Sequence, residues 1–276
     1  MRIARIARGF APWRDVWVRS TWRVQLQCVT GHARLLDPAR RVVAEGNEAE
    51  CLEEAARRAP HARRRRGVVL LHGILNDPSI MLRAAHACVA AEWAVANVGY
   101  PSTRLPLAAH AAAASQAARA LAEDGATEIS FIGHSLGGLV AASAMARAAA
   151  DGWAPGRLVL VGTPARGSTM AGMLRRLPGY TAFLGPCGEV LTQAGAAGVA
   201  WPHGRQIAVI AGGNGRRGFN PLLAGDNDFT VTVAETRLGA RESGFLRVRA
   251  LHNGLAEHRE TIGAALSFLA TGRLHA

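Results

Sequence analysis

The feature that most constrains this chain is a Gly-x-Ser-x-Gly turn, formed by Gly133, Ser135 and Gly137, between a predicted strand and a predicted helix. Residues 128–132 are largely apolar and β-branched, and residues 136–150 are rich in alanine. A serine at so sharp a corner needs small neighbours, so that strand and helix can pack closely. Its hydroxyl then projects from the fold, and the helix N-terminus offers N–H groups to a developing anion. The turn therefore predicts a nucleophilic serine.

A second segment ends in a glycine that frees a backbone amide. Residues 68–71 form a predicted buried strand, and His72 and Gly73 follow it directly. A glycine where the strand leaves the sheet lets the N–H of Ile74 turn towards the space above the serine. Together with the N–H of Leu136, it is predicted to form a two-donor oxyanion hole. His72 is interpreted as a residue that fixes this loop by hydrogen bonds, not as a base.

Two later segments offer an acid and a base. Asp226 and Asp228 follow a predicted strand, and His252 lies just after the last predicted strand. Aspartates often serve only as turn formers, so Asp228 is the predicted acid and Asp226 is kept as the alternative. His252 is the predicted base, because a histidine in this loop can reach back over the sheet edge. His258 is placed inside the following helix, predicted over 256–270, and has no predicted catalytic role.

The chain order Ser135, Asp228, His252, with the serine turn and the His-Gly loop, resembles that of the α/β-hydrolases. The similarity is to bacterial lipase- and esterase-like members and runs from about Val68 to the C-terminus. Gly162, Thr163 and Pro164 and several other short segments also match. One departure is Phe229, since lipase-like relatives commonly have glycine after the acid.

The resemblance implies a carboxylic ester hydrolase (EC 3.1.1-like) that works by two-step acyl transfer. Ser135 attacks the ester, His252 takes its proton, Asp228 orients the imidazole, and water releases the acid. No metal and no organic cofactor is required. The expected substrate is a small-molecule or lipid-like ester. Two alternatives are an acyltransferase with the same triad and a non-catalytic α/β-hydrolase domain used for binding. The predicted substrate-binding residues are Gly73, His134, Thr163 and Pro164.

The distribution of elements predicts an α/β fold. Alternating strands and helices from Val68 onward indicate a mostly parallel sheet with helices on both faces. Residues 1–66 are predicted to hold a helical or irregular start, three antiparallel strands that begin the same sheet, and a helix. The Gly- and Pro-rich residues 165–205 are a candidate cap or lid. The 276 residues thus fit a single domain over 1–276.

Composition narrows the partners. The chain has a net charge of +12 and contains no lysine, and its arginines are scattered except at 63–66, which is interpreted as a solvated turn. No nucleic-acid partner is therefore expected. Four cysteines without metal-ligand spacing indicate free thiols of a reducing compartment.

The sequence predicts a cytoplasmic protein. No secretory signal is recognised, and no run of about 18 apolar residues predicts stable membrane insertion. Peripheral membrane contact through Trp13, Trp17 and Trp22 is the weaker alternative, because the same tryptophans fit as packing on the core. The oligomeric state is left open.

Overall fold

Two sheets organise the chain, of which the computed structural model describes residues 13–19, 21–61 and 64–275. The first sheet is antiparallel, in the order β1 (Trp13–Arg19), β2 (Trp22–Gln27), β3 (Ala33–Leu36) and β4 (Val42–Gly46). The second sheet is entirely parallel in its pairings and has the spatial order β10-β9-β8-β7-β5-β6. Its strands are β5 (Arg66–Leu71), β6 (Ala94–Val98), β7 (Glu128–His134), β8 (Pro155–Val161), β9 (Ile207–Gly212) and β10 (Gly244–Val248).

Helices connect these strands. They are α1 (Glu48–Arg58), α2 (Leu82–Ala90), α3 (Leu107–Glu123), α4 (Leu136–Ala146), α5 (Thr169–Leu174), α6 (Tyr180–Val190), α7 (Gln193–Ala197), α8 (Val233–Thr236), α9 (His252–Leu255) and α10 (Arg259–Thr271). Short 3₁₀ turns occupy Pro78–Met81 and Gly239–Arg241. No described helix is both long enough and apolar enough to cross a membrane.

Alternate residues of the parallel strands pack into two separate hydrophobic cores, since successive side chains point to opposite faces of the sheet. Val69 and Leu71 of β5 pack into the core that contains α3 and α4. Val68 and Leu70 pack into the core that contains α2 and α10. Both faces of the sheet are thus covered by helices, which explains why its strands read as continuous apolar runs. The predicted fold class is confirmed for this sheet.

The antiparallel strands form a sheet of their own, so the prediction that they begin the parallel sheet is wrong. The two sheets are joined at Asp15, whose N–H donates to the carbonyl of Gly99 at 2.8 Å. Its carboxylate, almost fully buried, accepts from the N–H of Gly99 at 2.6 Å and from Arg23 Nη1 at 2.5 Å. These contacts provide hydrogen-bond partners for the buried N–H and carbonyl groups of Gly99 at the junction, where no described strand of the first sheet pairs with the second.

Two further expectations about the N-terminal part need correction. A helical or irregular start is wrong for Trp13–Arg19, which is a strand; residues 1–12 lie outside the described residues. The arginine run continues into β5 at Arg66, whose guanidinium lies 4.7 Å from the ring centre of Trp93. Arg63 is outside the described residues.

The candidate cap holds α5, α6 and α7. It follows β8 and packs on the loop after β6, so it lies at the carboxyl edge of the parallel sheet. Cys187 Sγ donates to the carbonyl of Leu105 at 3.3 Å. Gly185 breaks the regularity of α6 with a φ of 63°, and a Cβ there would overlap the carbonyl of Thr103. The close approach between the cap segment and this loop therefore requires a glycine.

Candidate active site

The serine turn has the geometry that its glycines predict. Ser135 separates β7 from α4 and has φ 55° and ψ −123°, a conformation that side-chain-bearing residues rarely adopt. A Cβ on Gly133 would lie 2.4 Å from the carbonyl oxygen of Gly137, and a Cβ on Gly137 would lie 2.3 Å from that of Leu71. Neither position can accept a larger residue without moving the backbone. The serine is thereby held at the carboxyl end of a central strand.

Three of the predicted residues form one hydrogen-bonded chain. The hydroxyl of Ser135 lies 3.0 Å from His252 Nε2, and His252 Nδ1 lies 2.6 Å from Asp228 Oδ2. Asp228 is fully buried, the His252 side chain is 11% exposed, and Ser135 is 6% exposed. An imidazole that donates from Nδ1 to a buried carboxylate presents an unprotonated Nε2 to the hydroxyl.

Asp226, the alternative acid, has other partners. Its carboxylate accepts from the N–H of Asn214 at 2.8 Å and from that of Gly215 at 3.0 Å. Arg247 Nη1 also lies 3.3 Å from it. Asp226 therefore fixes the loop after β9, and Asp228 is the carboxylate that lies beside His252.

The loop around Asp228 accommodates Phe229 through an unusual backbone. Phe229 has a φ of 87°, which glycine adopts freely and other residues adopt at a cost. The N–H groups of Thr230 and Val231 donate to Asp228 Oδ1 at 3.0 and 2.7 Å. The buried Asn227, which sequence reasoning missed, accepts from the N–H of Phe229 at 3.1 Å. Phe229 in place of glycine therefore strains the local backbone, but Asp228 keeps its two backbone N–H donors.

His134 was predicted to contact substrate, but it lies behind His252 and is fully buried. Its Nε2 lies 3.0 Å from the carbonyl oxygen of His252, and the two ring centres are 4.9 Å apart. Burial, followed by the charge of His252, lowers the pKa of His134 to about 3. A neutral His134 donating from Nε2 orients the His252 backbone. His258 was expected inside the last helix, but it is the N-cap residue that precedes α10.

Two backbone amides next to the serine are free to donate. The N–H groups of Ile74 and Leu136 have no acceptor among the described residues. Gly73 brings the first loop close to the serine, since a Cβ there would lie 3.0 Å from Ser135 Cβ. A substituent on Gly73 would therefore crowd the nucleophile.

His72 fixes the loop that carries Ile74. Its Nδ1 lies 2.8 Å from the carbonyl oxygen of Gly73, and its Nε2 lies 3.4 Å from the backbone nitrogen of Tyr100. The Tyr100 ring stacks on the imidazole at 4.2 Å between centres, and the Tyr100 hydroxyl donates to the His72 carbonyl. Burial lowers the pKa of His72 to about 4, so the ring is neutral and serves as both donor and acceptor.

The other predicted substrate contacts are buried beside the serine turn. Thr163 Oγ1 lies 3.4 Å from the carbonyl of Gly133, and a Cβ on Gly138 would overlap it. Pro164 is also buried. Gly162, directly before them, lies closer to the reacting groups, because a Cβ there would be 3.4 Å from both His252 Cε1 and Asp228 Oδ2. The Gly-Thr-Pro sequence after β8 could have indicated that Gly162 lies near the reacting groups.

Comparison with known proteins agrees with this architecture. The mature lipase BlEst2 of Bacillus licheniformis superposes with a TM-score of 0.60 at 16% identity, over 79% of this chain and 95% of that one. The propeptide form of the same lipase superposes with a TM-score of 0.61 at 16% identity, over 79% of this chain and 52% of that one. An esterase of Pyrococcus furiosus gives 0.49 at 14% identity, over 95% and 91%. The two BlEst2 superpositions show that the chain has the α/β-hydrolase fold, as the sequence predicted.

A shorter match concerns the sequence around the serine. Residues 114–161 match the family described as "Putative serine esterase" (DUF676). This segment runs from the middle of α3 through β7, Ser135 and α4 to the end of β8. A search of curated protein sequences found no match.

Proposed function

We propose that this protein hydrolyses carboxylic esters and that Ser135, His252 and Asp228 are its catalytic residues. The observation that carries the proposal is the unbroken hydrogen-bond chain from the Ser135 hydroxyl through the imidazole to Asp228. The match of residues 114–161 to a serine esterase family supports the same chemistry.

The acylation step uses the free Nε2 of His252. As Ser135 Oγ bonds to the ester carbonyl carbon, His252 accepts the hydroxyl proton, and the carbonyl oxygen becomes an oxyanion. The N–H groups of Ile74 and Leu136 then donate to that oxyanion, each contributing about 3 kcal/mol. When the tetrahedral intermediate collapses, the imidazolium gives its proton to the departing alkoxide. The products of this step are an alcohol and an acyl-Ser135 ester.

Deacylation repeats the sequence with water. His252 takes a proton from water as the water oxygen attacks the acyl carbon, and the second tetrahedral intermediate expels Ser135 Oγ. The proton held by His252 returns to Oγ, and a carboxylic acid leaves. The Asp228 carboxylate, whose Oδ1 accepts two backbone N–H groups, stabilises the positive imidazolium in both steps.

The surroundings of the site favour an ester with an apolar part. Phe229 adjoins Asp228 in the chain and is 54% exposed, and Leu251 adjoins His252 and is 49% exposed. We further propose that residues 165–205 act as a cap, since they follow β8 at the sheet edge where Ser135 lies. Apolar groups at this edge gain from contact with an acyl or alkyl chain, at roughly 25 cal/mol per Å² removed from water.

The test combines covalent labelling with turnover. A fluorophosphonate should modify Ser135, and Ser135→Ala should abolish labelling and reduce turnover of a p-nitrophenyl ester by about 10⁶. Ser267→Ala, on α10, is the matched control and should change neither. Circular dichroism shows whether each variant keeps its fold. A folded Ser135→Ala protein with normal turnover, or a label on another serine, overturns the proposal.

A further inference from the structure

A cleft of about 850 Å³ lies outside the Ser135–His252–Asp228 group, and none of these three residues lines it. One wall is the segment 198–205, which follows α7 and leads to β9. The other wall is the segment 237–243, which follows α8 and leads to β10. The volume falls in the range of small-molecule sites, about 300–1,000 Å³.

Arg166, which follows β8, is hydrogen-bonded to the start of the second wall. Its N–H donates to the carbonyl of Glu235 at 3.0 Å, and its Nε donates to the carbonyl of Arg237 at 2.8 Å. The ring of Phe245 lies under the Arg237 guanidinium at 4.1 Å. Arg166 and Arg237 are therefore fixed by contacts that leave terminal N–H groups of Arg166 free to donate.

The cleft carries an excess of positive charge. Arg166, Arg205, Arg237 and Arg241 line it, and no described aspartate or glutamate does so. Glu242, beside the cleft, pairs with Arg237. The ion pairs among the described residues include none for the other three guanidinium groups. Such a concentration of like charge is stabilised by an anion that enters between them.

The remaining lining is apolar. Val199 and Ile207 are almost fully buried at the base, and Trp201 and Leu238 are partly exposed beside them. A site that combines an indole and aliphatic groups with guanidinium forks suits a ligand with an apolar body and a compact anionic end.

We infer that this cleft binds a small organic phosphate ester, with the phosphate between the guanidinium groups of Arg166, Arg205 and Arg241 and the apolar body against Trp201. A phosphate dianion offers several oxygens to planar N–H pairs, which is the geometry that guanidinium recognises. The binding site lies outside the proposed catalytic group, so binding does not need Ser135.

The experiment is calorimetric titration of the purified protein with phenyl phosphate, inorganic phosphate and phenol at constant low salt. Phenyl phosphate should bind more tightly than either of the other two probes, because it combines both parts of the site. Arg205→Gln and Arg241→Gln should each raise its Kd about tenfold or more. Arg83→Gln, on α2, removes the same charge outside the cleft and is the matched control. Ser135→Ala should bind phenyl phosphate as the wild type does.

Each outcome bears on the inference. A Kd that rises in the cleft variants, is unchanged in Arg83→Gln and Ser135→Ala, and loses its preference for the phenyl ring in Trp201→Leu supports it. Equal weakening by Arg83→Gln and Arg205→Gln overturns it, because that pattern reflects only the net charge of +12. Loss of binding in Ser135→Ala, or absence of binding at millimolar phenyl phosphate, also overturns it. Melting temperatures of the variants identify any that fail to fold.

Discussion

Replacing Phe229 tests whether the loop that holds Asp228 is strained. Phe229 has a φ of 87°, and its side chain is 54% exposed, so it loses little packing on truncation. Removing the Cβ relieves about 1–2 kcal/mol of backbone strain, and the greater freedom of glycine in the unfolded chain offsets about 0.5–1 kcal/mol of that gain. Phe229→Gly should therefore be more stable than Phe229→Ala by roughly 0.5–1 kcal/mol.

The matched control is Leu222, which is 75% exposed and has an ordinary negative φ. There the order should reverse, with Leu222→Gly less stable than Leu222→Ala. Urea unfolding measures both pairs, and the corresponding melting shift is about 2–4 °C per kcal/mol. Ester turnover should persist in Phe229→Gly, because the N–H donors to Asp228 come from Thr230 and Val231. If Phe229→Ala proves as stable as Phe229→Gly, the strain argument is refuted.

Three other predictions concern the acid, pH and the sheet junction. Asp228→Asn should lower ester turnover by about 10⁴ through the wrong imidazole tautomer, whereas Asp226→Asn should leave it nearly unchanged; the reverse kinetic result reassigns the acid. Burial holds the pKa of both His72 and His110 at about 4, below the ordinary 6.5. The contribution of these neutral rings to the free energy of unfolding is therefore complete above pH 6.5 and is lost as the pH falls towards 4. At pH 5 about 2 kcal/mol is lost per ring. A free energy of unfolding that stays constant from pH 7 to 5 contradicts this. Asp15→Ala should destabilise the folded protein by about 3–5 kcal/mol, because the buried guanidinium of Arg23 loses its anion. Chemical unfolding at the wild-type denaturant concentration would contradict this.

The parallel sheet was predictable because its strands carry their signal locally. β5, β7, β8 and β9 are short apolar runs, as strands buried on both faces must be. The alanine-rich sequence of α3 also marks both ends of the helix, since it follows Pro106 and stops before Gly125.

β1 was missed because its alternation is broken. A bulge between Asp15 and Trp17 places Asp15 and Val16 together in buried positions. From sequence alone, an aspartate is expected to face solvent, and its burial here is explained by its later partners Arg23, Gln25 and Gly99. Local periodicity therefore predicts a strand poorly where a buried ion pair replaces an apolar contact.

The site shows the same division. Ser135 was identifiable from its flanking glycines together with the strand before it and the helix after it, because so sharp a turn needs small neighbours. The contact of His134 with the His252 carbonyl joins residues 118 positions apart, so no local pattern could separate it from a substrate contact. The cleft arginines come from segments on both sides of β9, and only the folded chain brings them together.

One residue connects the proposed catalytic loop with the cap segment and the cleft. Glu235 is nearly buried, and its carboxylate accepts from the N–H of Thr169 at 2.6 Å and from that of Thr232 at 2.8 Å. Its carbonyl accepts from Arg166, a residue of the cleft. The start of α5, the segment after Asp228 and the cleft wall thus all bond to Glu235, each through a different oxygen atom.

An anion that binds Arg166 in the cleft therefore acts on contacts that position both the cap segment and the loop of Asp228. Saturating phenyl phosphate should change kcat/KM for a p-nitrophenyl ester severalfold, which is the usual scale of coupling between two sites. The change should disappear in Arg205→Gln, which lacks the anion contact but keeps every group near Ser135, and should shrink in Glu235→Gln, which weakens the carboxylate contacts. If phenyl phosphate inhibits wild type and Arg205→Gln equally, it acts by competing at Ser135, and the two sites are energetically independent.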